Sequence, residues 1–206
     1  MARATKPNCR YCRRFNEKLF LKGRRCSSSK CPLEKRHGRS RRTRLSKISQ
    51  YGLQLREKNK IKIFYGVKEN QFRRYFEIAK KKRGVTGTTL LELLECRLDN
   101  IVYKLNWAES RRMARQLVVA GAIQVNRRRL NRPGYVARPG DEIRVKPESR
   151  QRTMVAQVQE SRKEFPVPAW LEPDSADLVA KVVRRPTREE ISVPCDEQLV
   201  VNLYSR

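Results

Sequence analysis

Four cysteines fall within the first 31 residues: Cys9 and Cys12 in NCRYCRRF, Cys26 and Cys31 in RCSSSKC. Their spacing is C-x2-C-x13-C-x4-C, two short pairs separated by a loop, which lets four thiolates converge on one tetrahedral ion. The opening MARATKPNCRYC has no apolar core behind its charges and does not read as an export signal. A reducing compartment is therefore expected, and a disulfide framework is not. The pattern predicts a metal site on Cys9, Cys12, Cys26 and Cys31, with Zn2+ as the first choice and a 4Fe-4S cluster as the alternative on the same thiols. Residues 1–44 offer only Tyr11, Phe15, Leu19, Phe20, Leu21 and Leu33 as large apolar groups, against 16 basic and 2 acidic side chains. A structural ion would supply what so small a core lacks, on the order of 10 kcal/mol. Arg10, Arg13, Arg14, Arg24 and Arg25 would offset the thiolate charge and favour deprotonation. Cys96 and Cys195 stand alone and read as small apolar fillers.

The charge of the whole chain points to a polyanion. Its 49 Lys and Arg against 21 Asp and Glu leave a formal net charge of +28. The excess is +14 over residues 1–44, +8 over 45–93 and +6 over 94–149, and it vanishes over 150–206, where 9 basic groups meet 9 acidic ones. A field of that size and polarity attracts nucleic acid. Mean hydropathy is −0.78 and no apolar run approaches the roughly 20 residues of a spanning helix, so no membrane is expected. The stretch HGRSRRTRLSKISQYG is a charge run without apolar period, read as a basic connection in contact with a polyanion's backbone. His37, the one histidine, lies at its start and reads as solvated or RNA-contacting rather than as a metal ligand.

The elements that must carry these charges follow from periodicity. A helix is expected from about Leu45, with Tyr51 and Leu55, then Ile61 and Tyr65, four apart and Gly66 as the stop. Phe72, Tyr75, Phe76 and Ala79 mark the inner face of a second helix, with Arg73, Arg74, Lys80 and Lys81 outside and Gly84 ending it. Leu91, Leu94, Leu98, Ile101 and Leu105 align on one face of a third helical run. In AESRRMARQLVVAGA, Ser110 is the expected N-cap and Gly121 the end. Met113, Leu117 and Val118 form its inner stripe, and Arg111, Arg112 and Arg115 lie elsewhere on its surface. The period then changes to alternation at Ile123 and Val125 and again at Ile143 and Val145, with a type II turn at Arg138-Pro139-Gly140-Asp141. Residues 91–147 thus read as two helices packed on a short twisted sheet.

RLDNIVYKLNWAESRRMARQLVVAGAIQVN followed by RPGDEIRV resembles the RNA-binding module of the S-four family of bacterial small-subunit ribosomal proteins. CRYCRR, LFLKG, YGLQLREKNK, YGVKENQFRRYF, KKRGVTG, PAWL and EQLVVNLYSR extend the resemblance over nearly all 206 residues. It implies an α+β, mostly helical fold in four parts. These are a cysteine-rich metal-binding arm (1–44), the first part of a helical RNA-binding domain (45–90), the inserted module (91–149) and a C-terminal segment completing the helical domain (150–206). The family binds small-subunit ribosomal RNA early in assembly, at a helix junction of the 5′ domain. It borders the channel through which messenger RNA enters and touches neighbouring ribosomal proteins, S-five among them. By resemblance the chain is a cytoplasmic ribosomal constituent contributing to translational accuracy.

The resemblance also implies contacts. Arg111, Arg112, Arg115 and Gln116 would form the module's RNA ridge, together with Arg97 and Asn100, while Asp99 orients an arginine. Arg56, Lys58, Arg73 and Arg74 would serve the helical domain, and Arg13 and Arg14 the arm. Arg39, Arg41, Arg42 and Arg44 resemble the patch facing messenger RNA. Two departures stand out. The first hairpin carries Asn126-Arg127 where the family has Asn-Gly, and arginine at positive φ costs roughly 1 kcal/mol; a longer or different turn is expected there, with Arg127 recruited to RNA. LEKRHGRS is also a shortened approach to the His-Gly pair.

The same module occurs in RNA-modifying enzymes, but residues 150–206 contain no nucleotide loop, no triad and no histidine, so neither catalysis nor a small-molecule substrate is expected. A zinc-finger DNA regulator would need a recognition helix with dimer symmetry, and none is evident.

Overall fold

In the computed structural model, which describes residues 7–34, 49–174 and 177–205, the arm opens as α1 (Asn8–Phe15). Asn16, in the left-handed region at φ 54°, ends that helix, and its N–H closes onto the Cys12 carbonyl oxygen. Phe15 and Leu19 are buried, and a single turn, α2 (Arg24–Ser27), brings Cys26 inward. His37, Arg39, Arg41, Arg42 and Arg44 lie outside the described residues, as does most of the basic connection.

The next helix, α3 (Gln50–Phe64), starts later than periodicity suggested. Ser49 caps it, its Oγ accepting from the Gly52 N–H at 3.2 Å. Its inner face is Gln54, Lys60, Ile61 and Phe64. Tyr51 is exposed and Leu55 half-buried, so the Tyr51/Leu55 pair is not a core stripe. Lys60 can be buried because Glu57 (2.9 Å) and Glu17 (3.1 Å) neutralise it. The expected stripe of α4 (Glu69–Lys80) is realised: Phe72, Tyr75, Phe76 and Ala79 are all buried, while Arg73 and Arg74 are exposed.

The long apolar run after Val85 is two helices rather than one, α5 (Thr86–Glu95) and α6 (Leu98–Lys104). Arg97 interrupts it in extended conformation (φ −68°, ψ 138°) and bridges Val136. Leu91, Leu94, Leu98, Ile101 and Leu105 are nonetheless all buried, because the break falls between two turns that each keep their inner face. Helix α7 (Arg111–Val119) is capped as expected, with the Ser110 Oγ accepting from the Met113 N–H. Ala114, Leu117 and Val118 are its buried face, and Met113 packs at the core's edge.

Strands β1 (Ile123–Val125), β2 (Arg128–Arg129) and β3 (Glu142–Val145) form the predicted small sheet. Val125 pairs with Arg128, which makes a two-residue hairpin of Asn126 (φ 50°) and Arg127 (φ 64°). That overturns the expectation of a longer or different turn. Asn126 holds the strained geometry by three bonds: its N–H to the Glu142 carbonyl, its amide to Asp141 Oδ1, and its Oδ1 accepting from the Glu142 N–H. The type II turn is present, with Gly140 at φ 92° and the Asp141 N–H bonded to the Arg138 carbonyl at 3.0 Å.

The sheet is larger than the sequence suggested. After α8 (Arg152–Glu160), β4 (Leu171–Asp174) and β5 (Val179–Val182) join it, giving the order β2-β1-β3-β5-β4 with every pair antiparallel. β5 pairs with β3 through Ile143 and Ala180, and Trp170, Leu171, Leu178, Ala180 and Val182 complete one core with α6, α7 and β1. The last helix, α9 (Glu197–Tyr204), is capped by the Asp196 carboxylate and packs along α3. The chain divides into two compact units, one comprising described residues up to Phe72 and from Val193 onward, the other Arg73–Ser192. The part after residue 150, taken as one closing segment above, is thus shared: residues up to 192 extend the sheet unit, and α9 closes on α3. No helix among the described residues is long and apolar enough to cross a membrane.

Candidate nucleic-acid interface

Helix α7 turns one face into the core and the other outward, and the outward face is cationic. Arg112 and Gln116 are exposed, and the Arg115 side chain is 40% exposed. Arg115 Nη1 reaches Asp99 Oδ2 at 3.3 Å. Asp99 is itself buried and grips Arg97 through two bonds, Nε to Oδ1 at 3.0 Å and Nη2 to Oδ2 at 2.6 Å. A further Arg97 nitrogen donates to the Tyr75 hydroxyl at 2.9 Å. Burial alone would push the Arg97 guanidinium down; the facing carboxylate and the tyrosine outweigh it and keep it charged. At 2% exposure Arg97 has no surface to offer RNA. Its assignment as a contact is corrected: it neutralises Asp99, and Asp99 orients Arg115.

Asn100 is corrected in the same way. It is 1% exposed, its amide donates to the Glu95 carbonyl oxygen at 3.0 Å and to the Glu95 carboxylate, and its Oδ1 accepts from Arg111 Nε at 2.8 Å. The Arg111 guanidinium lies 4.4 Å from the centre of the Tyr103 ring, and that of Arg162 lies 5.2 Å from the same ring. Arg162, buried and bonded to Asn106 and the Glu109 carbonyl, escaped sequence reading because it comes from beyond the apparent module. Two cations of the ridge are thus anchored at their roots, Arg115 by the buried Asp99 and Arg111 by Asn100 and the Tyr103 ring. Such preorganised guanidinium groups suit phosphates better than freely rotating ones.

The ridge has company: Arg127, already expected at RNA from the sequence, and Arg128 and Arg129, which the sequence reading did not name. Arg127, Arg128 and Arg129 are all exposed on the first hairpin. The Arg129 guanidinium crosses Gly121, where a Cβ would fall 2.2 Å from Nε. With φ at 73°, Gly121 both ends α7 and leaves room for that side chain. The signal was the run NRRRL, hidden by reading strands only for alternation.

Other predicted contacts are already engaged within the protein. Arg56 Nη2 donates to the Phe15 carbonyl at 2.7 Å. Lys58 pairs with Glu69 at 3.0 Å and lies 5.5 Å from the Tyr204 ring centre. Arg13 and Arg14 are exposed, Arg13 bonding only weakly to the Cys9 carbonyl at 3.4 Å.

Cys26 and Cys31 are buried, and Cys9 and Cys12 half-buried. Burial is the main cause that pushes the Cys12 and Cys26 thiols up, with smaller contributions from other cysteines of the arm. The Lys22 N–H donates to Cys26 Sγ at 3.3 Å, and the backbones of Leu19 and Leu21 serve Cys12 and Cys26. All-sulfur donors with backbone N–H groups aimed at them fit a soft tetrahedral ion. Yet among the described residues no three His, Cys, Asp or Glu groups stand at metal-holding spacing, so a metal-bound arm is not shown. Cys96 is buried, which pushes its thiol up to about 12, in keeping with an apolar filler.

Comparison with known proteins agrees with this geometry. A family model described as the ribosomal protein S4/S9 N-terminal domain matches residues 3–95, and one described as the S4 domain matches residues 96–143. The chain is 53% identical over 215 positions to small ribosomal subunit protein uS4 of Dictyoglomus turgidum. It is 52% identical over 209 positions to that of Natranaerobius thermophilus, and 49% over 209 to that of Acidobacterium capsulatum. Each alignment covers all of both chains.

Proposed function

We propose that this chain, which belongs to the uS4 family of small ribosomal subunit proteins and is a structural constituent of that subunit, binds ribosomal RNA early and helps fold its 5′ domain. The observation that carries this is the outward face of α7, where Arg112 and Gln116 are exposed and Arg115 is held by Asp99 of the buried Arg97–Asp99 pair. Folded RNA is read mostly through shape and backbone, and a rigid cationic ridge meets that demand. The role is non-catalytic, on the cytoplasmic ribosome, bordering incoming messenger RNA and contributing to accuracy there. An S-five-type protein is the proposed protein neighbour.

The arm would hold Zn2+ on Cys9, Cys12, Cys26 and Cys31, or a 4Fe-4S cluster on the same thiols. The ion would supply cross-linking only, tying α1 to the turn at α2. The chain's own part is the four sulfurs and the backbone N–H groups that bond Cys12 and Cys26.

Binding to small-subunit ribosomal RNA measured against salt concentration tests the reading. Arg112→Gln with Arg115→Gln should weaken binding and lower the slope of log K against log salt by about 1.5 to 2, as expected for two lost phosphate contacts. An unchanged slope, or equal affinity for duplex DNA, would overturn it.

A further inference from the structure

Four residues of α3, spaced i, i+3, i+4 and i+7, form one stripe: Gly52, Leu55, Arg56 and Asn59. Together with Arg14 and Phe15 at the end of α1 they line a cavity of about 240 Å3. Two guanidinium groups border it and, among the described residues, no carboxylate does, so its preferred occupant carries negative charge. Its floor is apolar, made by Leu55 and the buried Phe15. Arg56 is not a swinging surface arginine, because its bond to the Phe15 carbonyl at 2.7 Å fixes the guanidinium plane. Arg14 is exposed in the last turn of α1. Asn59 brings one amide donor and one acceptor, and Gly52, lacking a side chain, leaves the stripe open one turn before Arg56.

Size narrows the occupant. A cavity of about 150 Å3 accommodates benzene, whereas sites for drug-sized ligands begin at about 300 Å3. The present volume has room for one planar base and none for a stacked pair. Phosphates of an A-form helix lie on its outside and need no apolar floor, while bases turned out of a helix are held on arginine planes and bonded along their edges. We propose that this cleft takes a single unpaired nucleotide of the ribosomal RNA. The base lies on the Arg56 plane and Leu55, Asn59 bonds its edge, and Arg14 meets its phosphate. The inference rests on the RNA-binding reading above and adds a base-accepting site to it.

The test uses full-length protein bound to small-subunit ribosomal RNA. The complex is probed with dimethyl sulfate and a carbodiimide, which together report unpaired base edges of all four nucleotides. Gly52→Leu fills the mouth with a residue of higher helix propensity, so α3 is not put at risk. An unpaired nucleotide protected by the wild type should become reactive with Gly52→Leu and with Asn59→Ala, while the remaining footprint stays. Affinity should fall about tenfold with Gly52→Leu, within the range for losing one stacked base. If both variants keep every unpaired-base protection of the wild type, the proposal is overturned. Saturable binding of AMP to free protein, lost with Gly52→Leu while the RNA footprint is unchanged, would overturn it in favour of a free nucleotide. No footprint even with wild type would instead defeat the RNA-binding reading itself.

Discussion

Replacing Asp99 with asparagine keeps the shape of the side chain and removes its charge, leaving Arg97 enclosed without a counter-ion. Arg97 is 2% exposed and exchanges its two charge-assisted carboxylate bonds at 3.0 and 2.6 Å for a single bond to a neutral amide oxygen, beside the Tyr75 hydroxyl at 2.9 Å. The new amide also turns an N–H group toward a guanidinium that can only donate. Breaking a buried pair from one side costs about 3–5 kcal/mol, most of it from the stranded charge. The lost Arg115 contact adds little, because Arg115 is 40% exposed and such pairs are worth about 1 kcal/mol or less. For the unit spanning Arg73–Ser192 this corresponds to a fall in Tm of roughly 10–20 °C. Urea and thermal melts of Asp99→Asn, Arg97→Met and the double variant Arg97→Met/Asp99→Leu form the assay. The single variants should be strongly destabilised and the double variant close to wild type, since replacing both charges by apolar groups removes the desolvation cost as well. Single-variant losses under about 0.5 kcal/mol, or a double variant worse than either single, would refute the account of Arg97 and Asp99 as a closed pair under the ridge.

Deleting residues 196–206 removes α9, uncovers the face of α3 under Val200 and frees Tyr204 from Phe72, whose ring centre lies 6.3 Å away. One buried side chain of this size is worth about 1.5–3 kcal/mol, so a drop in Tm of at least about 5 °C is expected by calorimetry; unchanged melting would make α9 a peripheral arm. Cys26→Ser should release the metal proposed for the arm, measured by elemental analysis, and make residues 7–34 sensitive to limited protease while Arg73–Ser192 stays folded. Full protection without metal would remove the structural role given to the ion. Burial pushes the Glu69 carboxyl up, but bonds from Lys62, Lys58 and Tyr204 outweigh it and leave it at about 2 against an ordinary 4.5. A depressed folded value means that its contribution is complete above about pH 4.5 and fades as pH falls toward 2. Because Glu69 is 45% exposed, that contribution stays below about 1 kcal/mol. Glu69→Gln should flatten the fall in Tm over that window, and an identical pH profile would mean that the cluster carries no stability.

What could be read without coordinates was local. The stripe of α4, the Ser110 cap, the turn at Arg138–Asp141 and the alternation of β1 and β3 depend on neighbours three or four residues away, and all are present. The cationic surface of α7 belongs to the same class, because a 3.6-residue period assigns inside and outside by itself. The two errors at Arg97 and Asn100 have another origin. Charge type alone says that both belong outside; only the pairing of Arg97 with Asp99, and of Asn100 with Glu95 and Arg111, makes their burial tolerable. The Asn126-Arg127 turn likewise looked unfavourable until Glu142 and Asp141 from the next strand supplied the bonds that hold it. β4 and β5 are short, and one contains Pro173; they are strands because Ala180 pairs with Ile143 some forty positions earlier. The sequence by itself therefore determined which surfaces are basic and where α7 begins and ends. Tertiary structure decided which charged groups reach the surface and which strands close the sheet, because burial of a polar group and pairing of an edge both depend on partners that sequence distance does not reveal.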